Sequence, residues 1–294
     1  MNINQQIEFD KIKELWAELA LTDDAKEKIK ETTWCLSETE LRMLLKETTD
    51  ARNMIEKLGT PPLQNISDIK EVIQIVEKGQ CLTPYQLERV EKVLAAVRRL
   101  KDYLARGKRY ENSLAYYDEN LETLSELSDE ICSKIRNGIV DDYATKELLQ
   151  IRGKITKCEE QMKQKAEQVM RANKECMAEN FYTTRNGRIC LPIKKEYKLK
   201  ISGSVIDKSS TGSTLFIEPT SVAKNYDEMQ LLRIEEENEV FQILYTLSTM
   251  ILAEVPVLSQ NLNMMERLDF IFSKGKLSID LDGTEPKINT GRKI

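Results

Sequence analysis

Histidine is absent from all 294 residues. With no imidazole, the usual neutral-pH general base is missing, and so are Ser-His hydrolytic pairs and mixed Cys/His zinc sites. The six cysteines, Cys35, Cys81, Cys132, Cys158, Cys176 and Cys190, are scattered without a CxxC pair, so they read as reduced small hydrophobes and not as ligands or bridges. No apolar run reaches membrane-spanning length, and Met1 to Asp10 has neither the basic nor the apolar part of a signal peptide, so a cytoplasmic protein with no membrane partner is expected. A phosphate loop is lacking too. Gly153-Lys154-Ile155-Thr156 puts isoleucine where the hydroxyl must follow lysine, inside a helical pattern and without the upstream glycine. Ser209 has no base to activate it, and no carboxylates pair convincingly for magnesium. No catalysis, metal or cofactor is expected of this chain.

Aromatic residues are sparse at 6%, charged residues abundant at 32% and hydrophobic ones 40%, a balance that favours an elongated, helix-rich protein over a compact α/β enzyme. Within it, Phe181 to Pro219 changes period. Ile189, Leu191 and Ile193 alternate with Cys190 and Pro192, and Leu215 and Ile217 alternate with Thr214 and Phe216, as half-buried strands do. Asn186-Gly187 and the run from Ser209 to Ser213 supply turns between them. This stretch is also locally basic in a chain of formal charge -5: Arg185, Arg188, Lys194, Lys195, Lys198, Lys200 and Lys208 face only Glu196, Asp207 and Glu218. A positive tip on a negative molecule favours a polyanion. The same lysines would also serve simply as guards of β edges.

Elsewhere the pattern is helical. Gln6 to Leu19 carries one apolar face, Thr22 opens a second helix, and Ser37 with Glu40 opens a third that Gly59-Thr60-Pro61-Pro62 stops after Leu58. Ser67 reads as the cap of a short helix closed by Gly79, and Thr83-Pro84 with Gln86 as the start of a long one. The basic cluster from Arg98 to Arg109 is read as a solvated face. Leu114 to Arg136 is a further helix, ended by Asn137-Gly138. From Asp141 or Asp142, Leu148, Ile151, Ile155, Cys158, Met162, Val169, Ala172 and Cys176 trace a long stripe, interrupted where Lys165 or Ala166 should face the seam. A returning stripe through Tyr226, Met229, Val240, Ile243, Leu247 and Met250 would bury it in an antiparallel pair, ending at Pro256. Leu262 to Phe272 reads as one more helix, and after Gly275 the positions Leu277, Ile279 and Leu281 read as short extended chain. The expected fold is mainly α: a multihelical core and long antiparallel arms carrying a small β module.

RNGRICLPIKKEY at Arg185 to Tyr197 and GSVIDKSSTGSTLFIEP at Gly203 to Pro219 resemble the clamp-region signature of bacterial MutS2 proteins within the MutS superfamily. EFDKIKELWAELALTDDAKEKI and GTPPLQNISDIKEVIQIVEKGQCLTPYQL are similar to that family's opening, so the resemblance spans nearly the whole chain. It implies a helical core at 1–140, an ascending lever arm at 141–180, a β-containing clamp tip at 181–220, a returning arm at 221–255, a helical return to the core at 256–276, and at 277–294 a truncated lead toward a missing ATPase domain. Full-length members would use ATP and magnesium, dimerise, and in many cases end in an Smr domain associated with nuclease activity. The family is associated with branched DNA, recombination control and mismatch-repair-like processes, and some members act on stalled ribosomes. The resemblance therefore implies a DNA-binding clamp and lever, with the basic residues of the tip as the nucleic-acid contact, and a ribosome- or protein-binding scaffold as the alternative. Ile206 stands where the subfamily often has histidine.

Overall fold

The computed structural model describes residues 8–35 and 37–289; Gln6 and Ile7 of the first expected helix lie outside them. The described chain is mainly α, with small antiparallel sheets. It divides into two compact units, one made of Met1–Ile139 with Leu244–Ile294, the other of Val140–Ile243.

The first unit contains α1 (Phe9–Leu19), α2 (Asp23–Glu31), α3 (Glu38–Leu58), α4 (Ser67–Glu77), α5 (Pro84–Gly107) and α6 (Ser125–Lys134). Its helix starts are local chemistry: the Thr22 hydroxyl accepts from Ala25 N, the Ser37 hydroxyl from Glu40 N, and Thr83 with Gln86 forms a complete capping box with Pro84 in the first turn. Other expectations fail for local reasons. Ser67 is the first helical residue and Ile66 takes the cap position. Leu114 to Arg136 is not one helix: a 3₁₀ segment at Ser113–Asn120 precedes α6, after which left-handed Asn137 and Gly138 turn a hairpin between β1 (Ile135–Arg136) and β2 (Ile139–Val140).

The last helix of this unit, α9 (Val255–Asp280), absorbs both Leu262 to Phe272 and the stretch expected to be extended. Pro256 lies in its first turn, where no hydrogen-bonded N–H is needed, and the break from the preceding helix falls at Glu254. Gly275 does not stop it; a Cβ there would lie 2.8 Å from Ala51 Cβ and 3.0 Å from Arg52 N, so the glycine lets α9 and α3 approach closely. Two buried polar side chains of α9 tie down loops. Asp269, fully buried, accepts from Leu21 N, Thr22 N and the Thr22 hydroxyl at 2.8, 2.8 and 3.0 Å, and Asn261 exchanges two bonds with the Glu122 backbone at 2.9 and 2.7 Å.

In the second unit α7 (Lys146–Ala172) pairs with the first part of α8 (Thr220–Ala253). The cap of α7 is Thr145, a few residues beyond Asp141, because its hydroxyl accepts from Leu148 N and donates to Glu239 at 2.7 Å. Arg152–Glu236 at 2.7 Å, Arg233–Glu159 at 3.1 Å and Lys165–Asn225 at 2.6 Å follow in descending order along α8, which makes the pair antiparallel. Ile155, Cys158, Met162 and Ala166 of α7 bury against Val222, Met229 and Leu232. The expected seam interruption resolves into a division of labour: Ala166 fills the seam while Lys165 leaves it to reach buried Asn225, which in turn donates to Gln161 at 2.7 Å.

Four strands, β3 (Thr183–Arg185), β4 (Arg188–Lys194), β5 (Gly203–Lys208) and β6 (Thr214–Pro219), form an antiparallel sheet in the order β3-β4-β6-β5. Leu191, Ile193, Leu215 and Ile217 join the same core as the helix pair. The strands are not simply half-buried, since Cys190 and Pro192 on the opposite face of β4 are buried as well. Gly203 is required where β5 meets β6, because a Cβ would come within 2.2 Å of the Glu218 carbonyl oxygen. Ile206 sits in the register shift between Val205 and Asp207.

Candidate nucleic-acid interface

The sheet separates the seven basic residues singled out in the sequence into two groups. Asn186 and Gly187, both with positive φ, make the two-residue turn that sets Arg185 opposite Arg188. The Arg188 guanidinium donates to Glu218 at 2.6 Å, lies 4.2 Å from the centre of the Tyr226 ring, and has Asp227 at 3.9 Å. Glu218 is 1% exposed, and its other oxygen has no partner, so Arg188 is what neutralises it. The hydrogen bond to Glu218 raises the Arg188 pKa further above its ordinary value. Beside them Cys190 is fully buried, and burial, reinforced by the Glu218 carboxylate, pushes its thiol up to about 11. Arg185 stacks 4.4 Å from the centre of the Phe216 ring with Asp207 at 3.8 Å, and its side chain stays 45% exposed.

Lys194, Lys195 and Lys208 gather where β4 and β5 end and β6 begins, whereas the 3₁₀ segment carries Lys198 and Lys200 back toward the other end of β6, where Ser202 O accepts from Thr220 N at 3.0 Å. Lys194 is registered with Thr214 and Lys208 with Leu215, so they flank the start of β6 from either side, about two strand spacings or 10 Å apart. Lys195 donates its backbone N–H to Ser213 O at 3.0 Å, which joins the start of the Lys195–Lys200 3₁₀ segment to the hydroxyl-rich turn. Gly212, with φ 69°, closes that turn by donating to Ser209 O at 2.8 Å. Lys194 also reaches the Glu175 carbonyl at 3.3 Å, and Lys200 lies 5.0 Å from the centre of the Tyr197 ring. Lys194, Lys195, Lys198, Lys200 and Lys208 are all exposed, and among the described residues none of them makes an ion pair. The start of β4 thus carries an arginine held by the protein's own acid, while its end and the 3₁₀ segment that follows carry lysines with no acid partner among the described residues.

Sequence reasoning overlooked two residues here. Glu218 counted only as a nearby acid, although its place opposite Ser204 in the central strand buries it. Leu199 passed unremarked, yet it is 96% exposed while Tyr197 and Ile201, two residues to either side, turn inward; alternation in Tyr-Lys-Leu-Lys-Ile would put all three on one face, and it is the 3₁₀ conformation of Lys195–Lys200 that sets Leu199 apart. Among the described residues no group of three or more Cys, Asp or Glu side chains is arranged to hold a metal ion, and no single helix is long and apolar enough to cross a membrane.

A helical arm pair bearing this β tip and its signature strands defines a member of the MutS superfamily. Comparison with known proteins makes this specific: the chain belongs to the bacterial MutS2 family. It is 35% identical over 286 residues to the protein named Endonuclease MutS2 of Clostridium perfringens strain 13, covering 96% of this chain and 36% of that protein. The Endonuclease MutS2 of Ruminiclostridium cellulolyticum is 35% identical over 295 residues, covering 98% and 37%, and that of Clostridium botulinum strain Eklund 17B is 32% identical over 288 residues, covering 96% and 36%. This chain therefore spans little more than a third of the length of those relatives. No family model matches it.

Proposed function

We propose that this chain is the clamp and lever region of a MutS2-like DNA repair or recombination-control protein, that it grips branched or duplex DNA through the phosphate backbone, and that it performs no catalysis of its own. One observation carries the reading: five exposed lysines, at the ends of β4 and β5 and along the 3₁₀ segment between them, have no carboxylate partner among the described residues, on a chain of net charge -5. Open ammonium groups at that density gain most from a polyanion, and release of its counterions makes binding steeply salt-dependent. In this reading Lys194, Lys195, Lys198, Lys200 and Lys208 touch phosphates, Arg185 joins them by leaving Phe216, and Arg188 supports the site from within. The paired helices transmit motion to and from the tip. ATP and magnesium belong to an ATPase domain of the whole protein, which acts in the cytoplasm as a homodimer.

Retention of the complete gene product and of this chain on branched DNA, intact ribosomes and ribosomal subunits across a salt series tests the proposal. The expected result is retention on branched DNA that falls linearly in log–log form with salt. Tight binding to ribosomes by both proteins with no retention of branched DNA by either would replace it with the ribosome-scaffold reading. Calorimetry with magnesium-ATP on this chain is expected to give no saturable heat.

A further inference from the structure

The turn between β5 and β6 is knit by its own polar groups. Ser209 N donates to Thr214 O at 2.9 Å and Gly212 N to Ser209 O at 2.8 Å, while the Ser209 hydroxyl accepts from Thr214 N at 3.1 Å. The Thr211 hydroxyl lies 3.4 Å from that of Ser209 and 2.8 Å from that of Ser213. Ser210 stands apart: it is exposed, and among the described residues its hydroxyl has no hydrogen-bond partner. Its surroundings are cationic by register. Lys208 precedes it by two residues, at most about 7 Å along the backbone; Lys194 is registered with Thr214, the residue bonded to Ser209; and Lys195 N donates to Ser213 O at 3.0 Å. Of the acids nearby in the chain, Asp207 accepts from Lys208 N at 2.8 Å and has Arg185 at 3.8 Å, and Glu196 is exposed beside Lys195. An exposed serine is ordinary. A new anion at this one would meet lysine ammonium groups that have no acid to give up, and a phosphate brings a charge of about -1.5 to -2 with three acceptor oxygens. Glu218 already holds Arg188 in this way at the start of β4.

We propose that Ser210 is a phosphoacceptor and that its phosphate, taken up by Lys194 and Lys208, releases the tip from its polyanion. In the transfer the Ser210 Oγ attacks the γ-phosphorus of ATP held by a serine/threonine kinase, the bond from that phosphorus to the bridging oxygen breaks to leave ADP, and the hydroxyl proton passes to the kinase's base. The release rests on the reading of the lysine tip as a DNA contact and adds to it the regulation of that contact; the pairing of phosphate with lysine does not depend on it.

The 294-residue chain carrying phosphoserine at position 210 is compared with the unmodified chain, with Ser210→Ala, and with Lys194→Ala/Lys208→Ala carrying the same phosphoserine. By fluorescence anisotropy at low salt, the phosphorylated chain is expected to bind duplex DNA at least about tenfold more weakly than the unmodified one and with a smaller salt slope, and Ser210→Ala to bind within about twofold of it. In a ³¹P titration the phosphate should lose its second proton below the ordinary pKa of about 6, and return to that value in the double lysine variant. Peptide mapping of the complete gene product isolated from growing and from starved cells should find phosphate on Ser210. Equal DNA affinity with and without the phosphate, where the unmodified chain binds, overturns the release and leaves the DNA-contact reading standing. An ordinary titration overturns the pairing with lysine, and a Ser210 free of phosphate in both cell states overturns the acceptor. If the unmodified chain binds no DNA, the DNA-contact reading and the release fall together, whereas the acceptor is still decided by the mapping and the titration.

Discussion

The two ends of strand β4 start from similar sequence and arrive at opposite electrostatic states. At Arg188 the cation is committed: it neutralises a carboxylate that is 1% exposed and stacks on Tyr226, with its own side chain still 32% exposed. At Lys194 to Lys200 and at Lys208 the ammonium groups project from strand ends and a short 3₁₀ segment, where no described acid lies within ion-pairing distance. A basic cluster is thus not one feature. Part of it holds the tip together, and part of it is free for a partner, and substitutions at the two ends should fail in different ways.

The sharpest break in that comparison is charge reversal at Lys195, Lys198, Lys200 and Lys208 together. It should lower DNA affinity by at least about tenfold and flatten the salt slope, while the urea midpoint moves by less than about 0.5 kcal/mol equivalent. A matched set of reversals in the Arg98 to Arg109 cluster should cost far less binding, and equal losses from the two sets would remove the site assignment. Next in size is Arg188→Met, which strands the Glu218 carboxylate in the sheet. A destabilisation of about 3 kcal/mol is expected by denaturant unfolding, with the affinity of the remaining folded protein nearly unchanged. If Arg188→Met instead spares stability and abolishes binding, the two ends of β4 are equivalent after all.

Gly203→Ala should cost about 2 kcal/mol, since its methyl group meets a strand carbonyl and not a flexible side chain; circular dichroism melting of the variant checks this. The last effect, seen only in alkali, concerns Cys190. Its thiol titrates at about 11 in the folded state against 9.0 for an ordinary thiol, so the stability it contributes is complete below pH 9.0 and is lost as pH rises through about 11. Unfolding measured over that window should show a shallower decline in Cys190→Ala. At pH 8 a thiol reagent should modify exposed Cys132 readily and Cys190 only through opening of the sheet.

Helix starts were legible residue by residue because capping is a matter of three or four neighbours: Thr22, Ser37 and Thr83 each bond a backbone N–H three residues on, whatever the rest of the chain does. The mainly α fold, the antiparallel arms and the β tip were likewise written in apolar period, which depends only on which face of an element must be covered. Gly275 was misread as a stop because the reason for a glycine there, the backbone of α3 at Ala51 and Arg52, is more than two hundred residues away in sequence. Likewise, Pro192 and Cys190 read as the outer face of a half-buried strand, yet the fold buries both. The candidate site shows the limit most clearly. Composition alone places seven cations in one stretch, but Arg188 and Lys195 differ in availability only because strand register brings Glu218 within 2.6 Å of one and no described acid within pairing distance of the other. Charge is a property of the residue; whether it is already neutralised is decided by what the tertiary structure sets beside it.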